Sequence, residues 1–187
     1  MEWLRRQLGA HVEWYPYHLH PEYPPDGLDR AELIARYGTR MADAVRSMAE
    51  EAGLPYNPHP DRVPNTRAAL ELGEWARAQS PLAHEQLHDA LMDAYWRDGR
   101  DLTDWDELRQ CVATVGLDPD AAYAAVTSGA FAEPVDAWTS WAQSHGISAI
   151  PAFVFAQRVL VSGAQPNEVL ERAAETAREL MAAEGSP

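Results

Sequence analysis

The sequence predicts an α/β protein in which a large α-helical insertion separates the two halves of a small sheet. Three observations carry that reading: a valine- and aromatic-rich segment close to the start, helical periodicity through the middle, and two short apolar strands followed by one helix at the end. At 187 residues the chain is long enough to bury a proper core as one compact unit.

Trp3 to Leu8 reads as the last turns of a helix, with Gly9 as its terminator. His11 to Leu19, HVEWYPYHL, carries a strand signal, and the Pro21 to Gly27 cluster PEYPPDG closes it as a loop. Helices are then predicted over Asp29 to Gly53, Asn65 to Ser80, Pro81 to Asp98, Thr103 to Val115, Pro119 to Ser128 and Pro134 to His145. Their starts are punctuated. Asp29 with Glu32 is a capping-box pattern, Thr103 with Asp106 a near match, and Asp118 precedes Pro119 at a first helical position. Ala152 to Ala156 and Val159 to Ser162 read as two strands of a hairpin turning at Gln157-Arg158, although the favoured Asn-Gly turn is missing. The last helix runs from Pro166 to Ala183, with Glu168 in its first turn. The predicted domains are therefore residues 1–28, a helix end and strand; residues 29–145, the helical insertion; and residues 146–187, the Ile-Pro turn, hairpin and closing helix.

Composition narrows the function classes. Apolar residues make up 46% and charged residues 24%, which suits an ordinary globular domain. A formal net charge of -14 opposes non-specific binding to phosphate backbones and anionic lipid, so neither nucleic acid nor a membrane is expected as a partner. The start, MEWLRR, lacks the apolar core of a secretory leader, and the expected location is the cytoplasm. Cys111 is the only cysteine, so the chain holds neither a paired thiol nor a cysteine-based zinc site. Beside Leu108, Val112 and Val115 it reads as buried apolar filler.

Several constellations compete with plainer readings. His84-Glu85-Gln86-Leu87-His88 fits the HExxH zinc pattern, but no third ligand is evident, and alternating charge on a solvated helix face is the better account. No metal is expected. His18 and His20 alternate at a strand end and share a face, which would permit a metal pair or a proton-transfer pair; exposed polar residues are the better account. Asn65 and Thr66 both suit a helix N-cap. Trp75, Trp96, Trp105, Trp138 and Trp141 are expected as core or interface anchors, and Arg67 and Arg158 as solvated surface.

The segment Gly146-Ile147-Ser148-Ala149-Ile150-Pro151-Ala152-Phe153-Val154-Phe155, followed by Val161-Ser162-Gly163-Ala164-Gln165-Pro166, resembles the C-terminal half of DsbA-family thioredoxin folds. Within that family it is similar to the FrnE-like and 2-hydroxychromene-2-carboxylate isomerase branch. WYPYHLHPEYPPDG looks like the branch's second strand and exit loop, PNTRAAL like its Asn-Thr helix start, and DGRDLTDWDELRQCVATVGLD like its insertion helices. The resemblance implies a thioredoxin-like sheet with thiol-disulfide oxidoreductase function. Substrate would be held at a cis-proline turn of Ala149, Ile150 and Pro151, with Asn65, Thr66 and His18 near the pocket; the exit-loop match places His18 and His20 on its rim.

The same resemblance implies a first strand and a Cys-x-x-Cys motif ahead of the helix seen at Trp3 to Leu8. Neither is in this sequence. The strand would be the central one, between His11 to Leu19 and Ala152 to Ala156. Neighbouring strands lie about 4.8 Å apart, so its absence leaves two rows of unpaired backbone groups. The expectation is that the protein begins upstream of Met1, or that a strand from a second copy or a foreign chain fills the gap. The chain alone is expected to have no catalytic residues, no resident cofactor and no redox activity. Its expected partners are a thiol or disulfide substrate, either peptide or small molecule, with glutathione among the candidates, and a second copy through homodimer formation or strand exchange. The alternatives are a glutathione-dependent isomerase or kappa-type transferase relative, and a non-catalytic thioredoxin-like peptide-binding module.

Overall fold

The computed structural model describes residues 2–184; Met1 lies outside them. The chain divides into two compact units, Met1–Tyr15 with Thr139–Pro187, and Pro16–Trp138. Helix α1 (Glu2–Leu8) ends on Gly9 in the left-handed region at φ 61°, with the Gly9 N–H donating to Arg5 O, as the sequence predicts.

The predicted strand over His11 to Leu19 is not formed. The segment has no regular secondary structure, although residues 12, 14, 16 and 18 are more buried than 11, 13 and 15, so the period-two burial of a strand survives. No ladder partner exists for it among the described residues, because both sheets are two-stranded and neither includes it. Side-chain patterning set its burial. A strand needs a neighbour as well.

In the larger unit, β1 (Leu28–Asp29) pairs antiparallel with β2 (Arg62–Val63), a contact the sequence reading missed because two residues carry no periodicity. The expected single helix over Asp29 to Gly53 is two: α2 (Arg30–Tyr37) and α3 (Arg40–Glu51). The break is Gly38, at φ 75°, a conformation that glycine adopts without steric cost. Asp29 caps α2 by accepting from the Ala31 and Glu32 N–H groups.

Helices α4 (Arg67–Gln79), α5 (Pro81–Met92), α6 (Trp105–Thr114) and α7 (Pro119–Thr127) enclose the core of this unit, which includes Leu72, Trp75, Leu87, Leu91, Leu108 and Val112. Burying each leucine-sized side chain contributes roughly 1.5–3 kcal/mol. Helix α5 widens into a π-helical turn over Asp93–Arg97, and α6 is capped by Asp104, which accepts from Asp106 N–H. Thr103, the expected cap, instead donates its N–H and hydroxyl to Asp101. Ser80 and Asp118 cap α5 and α7, each followed by proline at the first helical position.

Helix α8 (Ala132–Ser144) leads through Gly146 and buried Ile147 to the hairpin of β3 (Ala152–Phe155) and β4 (Val159–Ser162), and α9 (Asn167–Glu184) follows. Leu170, Ala173, Ala174 and Ala177 form the buried face of α9, at the three-and-four spacing of an amphipathic helix. Arg178 ties α9 to α1 by donating to Leu8 O at 2.6 Å.

Candidate functional site

In the smaller unit the candidate residues form an exposed turn just ahead of β3. Ile147 is buried and its N–H donates to Ala142 O, which anchors the chain as it leaves α8. Ser148, Ala149, Ile150 and Pro151 are then all exposed, Ile150 by 53%. The Ile150-Pro151 peptide is cis. At the other end, Gly163 N–H donates to Pro151 O at 2.7 Å, which seats the turn against the end of β4. Among the described residues the backbone groups of Ala149 and Ile150 have no hydrogen-bond partner.

The Pro151–Gly163 bond also fixes which peptide groups of β3 are occupied. In an antiparallel ladder alternate residues bond to the neighbour, so Phe153 bonds to Val161 while the peptide groups of Ala152 and Val154 point to the opposite edge. No strand covers that edge among the described residues.

One face of the hairpin carries an open trough of about 280 Å³, lined by Trp141, His145, Ile147, Val154, Arg158 and Leu160. Val154 and Leu160 are directly opposed across the ladder, and His145 stacks on Trp141 with ring centroids 4.2 Å apart. Trp141 is thus no core residue. Arg158 is not simply solvated either; it pairs with Glu184 and donates to Ala156 O. The apolar runs on either side of Gln157-Arg158 gave the strands but not the trough; the period of two places Val154 and Leu160 on the face away from Phe153 and Val161.

In the larger unit His18 is buried, at 7% exposure, where the sequence reading expects a rim residue. Its Nε2 lies 3.0 Å from Asn65 Oδ1. Asn65 is a hub: the same Oδ1 accepts from Arg67 N–H, capping α4, and its Nδ2 donates to Tyr23 O at 2.7 Å. Thr66 makes no capping bond through its side chain. The exposed partner of the pair, His20, stacks on Tyr23 at 4.4 Å and bonds Glu22. Arg67 is no solvated cation; it pairs with buried Glu71 and with Asp136, and donates to Ala132 O. That double pairing raises the Arg67 guanidinium, with Asp136 the larger cause, and in turn lowers the Asp136 carboxyl.

The HExxH histidines are neither solvated nor part of a metal-ligand cluster. His84 is buried and its Nε2 faces Arg77 at 3.2 Å, while the His88 ring is 6.5 Å away, centroid to centroid. Burial, then Arg77, pushes His84 down to about 4. No group of three potential ligands gathers anywhere among the described residues. Cys111 is buried in the helical core, 3.9 Å from the Arg100 guanidinium, and desolvation pushes its thiol up.

A hairpin preceded by an exposed Ile-Pro turn and closed by one helix, with a helical unit inserted ahead of it, defines a thioredoxin-like α/β protein. The chain belongs to the DSBA-like thioredoxin domain family, whose sequence signature matches residues 1–175. It is similar to a probable DsbA oxidoreductase from Streptomyces coelicolor, with 26% identity, a TM-score of 0.83, and coverage of 97% of this chain and 80% of that one. It also shares the fold of a 2-hydroxychromene-2-carboxylate isomerase, at 18% identity and a TM-score of 0.71, over 99% of this chain and 90% of that one. No curated protein matches.

Proposed function

We propose that this chain carries the substrate-docking half of a DsbA-like thiol-disulfide oxidoreductase and by itself performs no dithiol exchange. The observation that carries the docking half is the exposed turn at Ala149-Ile150, whose backbone groups are unpartnered among the described residues and lead straight into β3. An extended thiol or disulfide substrate, peptide or small molecule, adds there as a short strand, its main chain giving affinity and its side chains giving specificity. His18, Asn65 and Thr66 belong to the supporting framework on the larger unit. The absence of exchange chemistry rests on Cys111: a nucleophilic cysteine needs a stabilised, accessible thiolate, and this one is buried with its thiol pushed up. A lone reduced thiol also suits a cytoplasmic location. No described helix is long and apolar enough to cross a membrane.

Two measurements test the halves separately. In an amide-resolved titration with an extended peptide bearing a mixed disulfide, or with oxidised glutathione, the largest shifts fall on Ala149, Ile150 and Ala152. Shifts confined to α4–α7 overturn the docking assignment. In dithiothreitol-driven insulin reduction the full chain gives no acceleration over reductant alone; measurable acceleration overturns the second half.

A further inference from the structure

Helices α2 and α3 bury no residue, yet both are amphipathic in sequence. Their apolar side chains face solvent: Met41 is 78% exposed, Tyr37 68% and Met48 46%, with Ile34 also exposed. On α3, exposed Met41, half-buried Val45 and exposed Met48 stand at i, i+4 and i+7, a single stripe about 10 Å long. Contiguous apolar surface of this kind marks an interaction site on a soluble protein.

The charges around the stripe indicate what covers it. The chain as a whole carries -14, but between residues 30 and 51 Arg30, Arg36, Arg40 and Arg46 match Glu32, Asp43, Glu50 and Glu51. Two copies that repel elsewhere meet no net repulsion here. The order of charges along α3 is more specific. Arg40 stands at its N-terminus and Glu50 and Glu51 at its C-terminus, with no basic residue in the last turn. Glu50 and Glu51 oppose the helix macrodipole at the C-terminus, while at the N-terminus Arg40 opposes it and Asp43 in the first turn offsets Arg40. A second α3 laid antiparallel brings arginine to the acidic end and carboxylates to the basic end.

We propose that α3 is the centre of an isologous homodimer. The two copies of α3 pack antiparallel, Met41 against the partner's Met48, and Arg40 faces the partner's Glu50 and Glu51. Ile34 and Tyr37 flank the contact. The same patch meets the same patch, as a two-fold axis near Ala44 requires. Helices of 8 and 12 residues are about 12 and 18 Å long, so the footprint suits a concentration-dependent dimer rather than an obligate one.

Sedimentation velocity of the full chain from low micromolar to near-millimolar concentration tests this. The wild type moves from one to two chain masses across the range. Met41→Glu with Met48→Glu, which touches nothing buried, keeps the far-UV circular dichroism and raises the dimer Kd about tenfold or more. Arg40→Glu alone also weakens the dimer, and adding Glu50→Arg and Glu51→Arg to the same chain restores it, an outcome only a self-complementary antiparallel contact gives. Ala44→Cys crosslinks to its counterpart with a short bis-maleimide, Cys111 being buried. A wild type that stays monomeric throughout overturns the proposal, as does a folded methionine double variant that dimerises unchanged.

Discussion

Arg77 donates a guanidinium N–H toward Nε2 of His84 at 3.2 Å while its Nε holds both oxygens of buried Glu74. This places an aromatic nitrogen that must stay unprotonated against a fixed cation, between helices α4 and α5. The arrangement makes the helical unit sensitive to acid. The folded state holds His84 at about 4 against 6.5 for an unperturbed histidine, so between those values the unfolded chain binds the extra proton. Stability is then fully present above pH 6.5 and is lost as pH falls toward 4, by on the order of 2 kcal/mol. Denaturant titrations of wild type and His84→Gln over that range check this: the variant loses less stability on acidification. His88, also lowered by burial, contributes with the same sign.

Arg67 anchors the start of α4 to α8 through Glu71, Asp136 and Ala132 O. Removing it leaves Glu71 buried without its cation, whereas Asp136 is exposed. Arg67→Ala is expected to cost roughly 3 kcal/mol in a urea midpoint series, and Asp136→Ala under about 1 kcal/mol.

Asn65 serves His18, the first turn of α4 and Tyr23 O at once. Asn65→Ala therefore strands several partners, with an expected loss of about 1–3 kcal/mol by chemical denaturation. Asn65→Asp keeps the oxygen toward Arg67 but loses the donor to Tyr23 O. It is expected to fall between the alanine variant and wild type.

The hairpin turns on Ala156 at φ 49° and Gln157 at φ 58°, with Arg158 N–H closing onto Phe155 O. Side chains with a Cβ are strained there, and glycine is not. Gln157→Gly is expected to stabilise by about 0.4–1 kcal/mol, read as a rise in midpoint at unchanged denaturant slope.

The turn was legible in the sequence at Gln157-Arg158, but its left-handed residues, Ala156 and Gln157, begin one position earlier. Ala152 to Ala156 and Val159 to Ser162 are short apolar runs that read as strands, whereas no residue in Ala156-Gln157-Arg158 announces left-handed backbone. Helix starts were readable where caps announce them: Asp29 and Asp118 cap where the apolar spacing begins. The split of α2 from α3 was not read, because one glycine inside a helical pattern is usually tolerated. At the candidate site, Ile150-Pro151 was found through its flanking sequence. His18 was misjudged as exposed, because its burial depends on Asn65, 47 positions away. The Arg77–His84 contact was equally hidden, since HExxH records spacing and not what faces the imidazole.

The small ladder of β1 and β2 has an effect out of proportion to its length. Arg30 adds its own clasp across the same point, donating to His59 O and Arg62 O, and Asp26 O accepts from Arg62. Gly27 lies so close that a Cβ there would stand 2.5 Å from Val63 O. Both stems of the α2–α3 segment are therefore riveted together where they leave the helical core. Such a pinned excursion behaves as a cassette: its outer surface can be rewritten, lengthened or trimmed over evolutionary time while the core behind the rivet registers little of the change.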